Sequence, residues 1–389
     1  MASSFLAPLL YFLVLAALPW ALIGRVKTGW LIFVCFVPLA VAKVAGHSGF
    51  AAVMGLSFFC FRQVSFLVDY QRGKFPLPSA REYFSYLFFP PTFFLGPLQR
   101  FASFTAQRMH FSWGNLTEGL WLIGQGLAYK FLVADTLRPN IVRFFSAAPE
   151  PNLLQVYVFV VAFAVQFFCD FAAYTHLARG CARILGFEVP ENFLRPYLAQ
   201  NPQEFWQRWH RSLSEWFRDY VYVPLFFRFK SVELAIFLSF LLMGLWHGLT
   251  FNFIALGIYL GLLMALFSWS QPYRLLFWSC WPTGKWASVF SGVLLLHAIG
   301  FAFYLILDAN LELGRRIVSG WAMPDAAWQV LWKVAFVLIL VVPIERWGRE
   351  KSWLTRGLLS GWALYFTFLV FFFSEIAAQR DLRFLYFQF

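Results

Sequence analysis

An all-α, polytopic membrane protein is the fold class that the sequence predicts, and two observations carry it. Of 389 residues, 60% are hydrophobic and 13% are charged, about half the charge of a soluble domain. No water-facing surface can be assembled from that balance. Apolar runs also recur from one end of the chain to the other, many of them long enough for a hydrocarbon core of about 30 Å. Together these features exclude a cytosolic enzyme, a secreted disulfide scaffold and a disordered chain. The aromatic share of 22%, with 51 Phe and 18 Trp, suits rings against lipid tails and indoles at the headgroups.

Residues 5–23 form the first expected span, since the run lacks the charged leader and small-residue cleavage site of a signal peptide. Residues 30–45 form the second. The runs 50–68, 83–98 and 116–134 are shorter or interrupted. Those at 153–166, 234–246, 251–269, 287–307, 328–343 and 358–376 complete a set of about 9 to 12 spans, with re-entrant or interfacial helices between them. Basic loops at 25–27, 72–81, 228–230, 274–285 and 346–356 are expected in the cytoplasm, which puts the amino terminus outside. No linker, soluble block or fixed-period repeat divides the chain, so a single membrane domain over 1–389 is expected.

Thirty-one Lys and Arg against 19 Asp and Glu give a net charge of +12, which marks cytoplasmic loops and suits an acidic partner. The basic residues are scattered and no nucleic-acid motif accompanies them, so nucleic acid is not an expected partner. Cys35, Cys60, Cys169, Cys181 and Cys280 form no C-x-x-C pair. The six histidines, His47, His110, His176, His210, His247 and His297, lack metal-ligand spacing. Neither a disulfide framework nor a metal site is expected. There is no G-x-S-x-G elbow and no Walker loop.

A charge at the bilayer centre costs about 2.5–3.5 kcal/mol on insertion scales, so polar residues inside apolar runs are candidates for function. Asp170 interrupts one such run; it either pairs with an Arg, caps a broken helix or does chemistry. Residues 204–220 read as one amphipathic helix lying along the interface, with Trp206, Trp209, Leu213 and Trp216 on the apolar face and His210 at its margin. His247 stands alone between two apolar runs. The flanking Gly244 and Gly248 would let a substrate approach it, unless the ring is a neutral histidine bonded between helices. Pro90, Pro91, Gly96 and Pro97 break the stretch ending in Gln99 and Arg100. That stretch is either a re-entrant turn presenting polar groups to a cavity or a loop with aromatic anchors.

In this order FFCDFAAYTHLARG (167–180), PENFLRP (190–196), EFWQRWHRSLSEWFRDYVYVP (204–224) and MGLWHGLT (243–250) resemble the membrane-bound O-acyltransferase family, MBOAT. The likeness is nearest to its D-alanylating, DltB-like branch. FFPPTFFLGPLQR (88–100) resembles the family's GP-[IL]-x-R segment, and Tyr129-Lys130 to Asp135 its K-x-x-x-A-D element; the likeness runs from about residue 57 to about 261. It implies helices around a central tunnel, His247 as the catalytic residue and His210 as the second family histidine in support. Trp246, Asp170, Ser214 and Arg100 are then expected along the substrate path.

The resemblance also implies no permanently bound cofactor. The donor would be a thioester on the phosphopantetheine of an acidic, DltC-like D-alanyl carrier protein in the cytoplasm. The acceptor would be a hydroxyl of teichoic acid or another envelope polymer, with other Dlt-type proteins as partners and the bacterial cytoplasmic membrane as location. A desolvated, neutral His247 would take the hydroxyl proton as oxygen attacks, an assistance worth about 10² to 10⁴ in rate. Ala173 and His176 depart from the usual DF-[SA]-GY-S pattern, and Pro224 with Leu225 resembles the alginate O-acetylase branch. Acetyl transfer to an exported polysaccharide is therefore the second expectation. A transporter or proton pathway through Asp170, His210 and His247 is a third, of another class, although inverted repeats are not apparent. A non-catalytic assembly subunit is a fourth.

Overall fold

The structure, a computed structural model, describes residues 2–44, 55–147, 151–271, 285–307 and 331. The expected runs 328–343 and 358–376, the loops 274–285 and 346–356, His47 and Cys280 fall outside these, apart from residues 285 and 331. Among the described residues there is no strand. Helices α1 (Ala2–Leu22) and α2 (Thr28–Val44) flank the first basic loop, and α3 (Leu56–Gln71) follows. Helix α4 (Ala80–Leu87) begins with a reciprocal cap: Ser79 N–H donates to Glu82 Oε2 at 3.0 Å and Glu82 N–H to Ser79 Oγ at 3.3 Å, satisfying two otherwise orphaned donors. After α5 (Phe101–Thr105), α6 (Trp113–Ala128) runs through a π-helical stretch (Tyr129–Ala134) into α7 (Asp135–Ala147), and α8 (Leu153–Ile184) is the longest element among the described residues.

The segment expected as one amphipathic helix is divided. Helices α9 (Pro202–Arg208) and α10 (Arg211–Phe217) are separated by a break at Trp209 and His210; α10 then passes through a π-helical stretch (Arg218–Tyr222) into α11 (Val223–Phe229). Helices α12 (Val232–His247), α13 (Phe251–Trp269) and α14 (Lys285–Leu307) follow. Among the described residues two helices are both long and apolar enough to cross a bilayer, α8 and α13. They occupy different places: 78% of the apolar window of α8 is buried inside the protein, against 33% for α13. Helix α8 is thus the central post and α13 presents a face outward.

Lipid tails are as apolar as side chains, so helices in a bilayer associate through close packing rather than expulsion of water. Helices α6 and α8 do this where Gly119 meets Gly180: a Cβ added at Gly119 would lie 2.7 Å from the Gly180 carbonyl oxygen. Helices α12 and α13 do it where Gly244 meets Gly257, with an added Cβ at Gly244 only 2.5 Å from the Phe253 carbonyl oxygen. Gly244 is therefore needed at a helix crossing as well as in the wall of the cavity beside His247. Two large aromatic-rich clusters fill the interior, one around α8 and one around α3 and α4, with a third beside α13. Trp206 packs against all three.

The broken stretch 88–98 folds inward. A 3-10 turn (Pro90–Thr92) leads into extended chain. There Leu95 N–H donates to Tyr174 Oη at 3.1 Å and Leu98 N–H to Ser212 Oγ at 2.9 Å, while the Gln99 carbonyl accepts from Tyr86 Oη at 2.9 Å. These three backbone groups are satisfied by protein side chains, as backbone that leaves the helix at membrane depth requires.

Candidate active site

His247 is the last residue of α12, not a mid-helix residue, and Gly248 after it is in extended backbone. The ring is half-buried, 4.4 Å from the Trp246 ring and 5.8 Å from Phe253 at a 21° interplanar angle. A Cβ added at Gly248 would strike the Phe253 ring at 2.5 Å. What Gly248 makes room for is this Phe, which in turn backs the imidazole.

His210 stands in the break between α9 and α10 with φ 40° and ψ 52°, a left-handed conformation that costs a non-glycine residue about 1–2 kcal/mol. It is 3% exposed, with Phe171 edge-on at 4.7 Å and Phe58 stacked at 6.1 Å. Neither ring nitrogen has a hydrogen-bond partner within the protein, a cost of about 1–3 kcal/mol for each buried polar group left so. Strain and orphaned nitrogens together mark a residue held for use rather than for packing. Helices α9 and α10 have seven residues each and are too short to span. Burial, and secondly the nearby His247, lower the His210 pKa. The imidazole is therefore neutral at physiological pH.

The two histidines, 37 positions apart in sequence, line one cavity of about 90 Å³. Its remaining walls are nearly all apolar, including Trp206, Phe240, Met243 and Phe303, with Ser214 as a further polar member. Ser214 Oγ donates to the Trp209 carbonyl at 3.2 Å, so this hydroxyl is tied back across the break. A second cavity of about 740 Å³ is walled by Arg211, Arg218, Gln203 and Gln207 together with Trp206, Ser214, Phe240 and Met243. The last four residues are common to both. A polar vestibule thus lies against an apolar chamber that holds two imidazoles. Such a chamber strengthens proton transfer and dipole interactions because water is excluded.

The other residues expected on the substrate path are placed elsewhere. Trp246 faces Phe61 at 5.2 Å and Phe217 at 6.4 Å and does not line the chamber; consecutive residues of a helix point about 100° apart, so it cannot share the bearing of His247. Asp170 is 1% exposed and paired with Lys130 Nζ at 2.8 Å, which also holds Asp135 at 2.9 Å. Of the alternatives for Asp170, pairing is the one found, with a Lys rather than an Arg. It does not line the chamber that holds the two histidines. Arg100 pairs with Asp219 at 3.1 Å and covers the Tyr220 ring at 4.5 Å, also away from the chamber. Sequence reasoning missed Trp206 and Phe253 as walls; nothing separates them from the many other aromatic residues until the helices are packed.

Comparison with known proteins bears on the chemistry. The chain is 31% identical to the teichoic acid D-alanyltransferase of Bacillus subtilis over 274 residues, 65% of this chain and 68% of that one. It is 34% identical to the probable alginate O-acetylase AlgI of Pseudomonas putida over 220 residues, 55% of this chain but only 45% of that relative, so it spans less than half of the latter. The peptidoglycan O-acetyltransferase of Helicobacter pylori is 26% identical over 302 residues, 69% of this chain and 56% of that one. The profile of the membrane-bound O-acyltransferase family matches residues 12–284, a stretch that holds both histidines, the vestibule and all of the chamber's lining except the wall supplied by α14. This membrane protein, which has no strand among its described residues, is an acyltransferase and belongs to the membrane-bound O-acyltransferase family, MBOAT.

Proposed function

We propose that the chain moves an acyl group from a phosphopantetheine thioester, carried by an acidic DltC-like protein on the cytoplasmic side, to a hydroxyl of an envelope polymer. D-alanyl transfer to teichoic acid is the first reading, in the bacterial cytoplasmic membrane and alongside other Dlt-type proteins. The single observation that carries acyl transfer is the convergence of two imidazoles, His210 and His247, in one apolar chamber. The B. subtilis relative, a teichoic acid D-alanyltransferase by name, supports the acyl group and the acceptor. The net charge of +12 suits an acidic carrier.

The step balances on these groups. A neutral His247 accepts the hydroxyl proton as the oxygen attacks the thioester carbonyl; the tetrahedral intermediate then expels the thiolate, which takes a proton back, leaving an ester and a free thiol. His210, also neutral and unbonded within the protein, supports the acceptor hydroxyl. The polar vestibule with Arg211 and Arg218 receives the polar part of one substrate, and the path between the two cavities is the tunnel of this reading. A ring of about 9 to 12 spans around it belongs to the same reading.

Mass spectrometry of the envelope polymer from cells with and without the gene tests this, with His247→Ala expressed at wild-type level as the second comparison. A D-alanyl increment that vanishes in both is expected, with a loss of at least about 10² in rate for the variant. Undiminished acylation in cells carrying His247→Ala overturns the assignment. A second reading, acetyl transfer to an exported polysaccharide, is favoured by the P. putida likeness at 34% identity. An acetyl increment in the same spectrum would select it.

A further inference from the structure

The left-handed His210 leaves a helix end to be repaired, and the repair comes from a distant segment. The first four N–H groups of any α-helix lack partners within it. At α10 the side chain of His210 supplies no cap, although its carbonyl accepts from Leu213 N–H and Ser214 N–H, both at 3.0 Å. The remaining two donors go to one residue. Arg211 N–H donates to the carbonyl of Asn192 at 3.0 Å, and Ser212 N–H donates to Asn192 Oδ1 at 3.2 Å. On the other side of the break, Leu194 N–H donates to the carbonyl of Arg208 at 2.9 Å, the last residue of α9. Residues 192–194 therefore grip the chain before and after His210, and Asn192 is itself 1% exposed.

We propose that Asn192 is a positioning residue for the reaction, whose side-chain amide oxygen, by capping α10 from outside, holds the His210 imidazole in its strained bearing on the chamber. A local cap could not do this. Were residue 210 itself Ser or Asp, it would satisfy the helix but could not be an imidazole. Moving the cap onto Asn192 leaves position 210 free to carry a ring. The Ser212 hydroxyl, which accepts Leu98 N–H at 2.9 Å, ties the same turn to the folded-in stretch 88–98, so the clamp is anchored on two sides. The proposal rests on the reading of His210 as part of the acyl-transfer site.

The test uses the full chain in detergent, with Asn192→Leu to remove the acceptor at similar size and Asn192→Asp to keep it. Asn192→Ala serves where the Leu variant does not accumulate. The probe is diethyl pyrocarbonate, and the readout is the rate of carbethoxylation of the peptides holding His210 and His247, followed by mass spectrometry. We expect Asn192→Leu to change the His210 rate about fivefold, as loss of one cap implies, to leave the His247 rate unaltered, and Asn192→Asp to restore the former. In membranes, kcat should fall with KM for the carrier-bound donor unchanged. Equal changes at both histidines, or none at His210, would overturn the proposal. Intact acyl transfer by His210→Ala would instead remove the role of His210 itself, and the labelling result would still report on the clamp.

Discussion

Lys130 shows what a single residue costs and supports in this interior. Its buried side chain places the ammonium between the carboxylates of Asp135 and Asp170, both buried as well. Removing one member of a buried ionic group leaves the others uncompensated, at about 3–5 kcal/mol. Lys130→Met should therefore lower the unfolding midpoint sharply in a thermal melt of the detergent-solubilised protein. Lys130→Met combined with Asp135→Asn and Asp170→Asn should recover most of the loss, and a triple variant no better than the single one would contradict the triad. This scale also shows what sequence can reveal. A lone imidazole between apolar runs, such as His247, stands out against its surroundings. The partner of Asp170, 40 positions away, does not, because pairing is decided by how α6 and α8 cross. The same limit hid Asn192, whose value lies in two backbone donors that only the folded chain brings to it.

Among elements, the pattern of rings at 204–220 predicted one amphipathic helix, and the structure breaks it at His210. The period is blind to the break because Trp209 and His210 are both buried, so the apolar stripe reads straight through. A glycine there would have signalled the left-handed residue; a histidine with positive φ gives no such cue. The runs expected at 234–246 and 251–269, by contrast, match α12 and α13 closely, since uninterrupted apolarity leaves little choice of structure. Their crossing gives a prediction. Gly244→Ala places a Cβ against the Phe253 carbonyl and 2.8 Å from Gly257 Cα; backbone cannot yield as a flexible side chain would, so about 1–3 kcal/mol of stability should be lost. Acyl transfer should fall with it, because Phe253 backs His247. Gly124→Ala, with nothing within 4 Å of the added Cβ, is the control and should melt no lower than the parent.

At the scale of the whole molecule, the assembly turns on one post and one junction. Helix α8 carries the interior. Trp206 touches all three clusters and walls both cavities, so the packing of the protein and the shape of its site are the same set of contacts. The length of α12 has a consequence for the surrounding lipid. Sixteen residues rise only about 24 Å, short of the roughly 30 Å of hydrocarbon in an average bilayer, and the helix stops at His247. Hydrophobic mismatch of this sign is relieved by local thinning of the leaflet, which shortens the path of a headgroup-level substrate to the imidazole. Reconstituted into vesicles whose phospholipids differ only in acyl-chain length, the enzyme should turn over faster in the thinner membranes. Rates indifferent to thickness would mean that neighbouring helices, and not the lipid, close that gap.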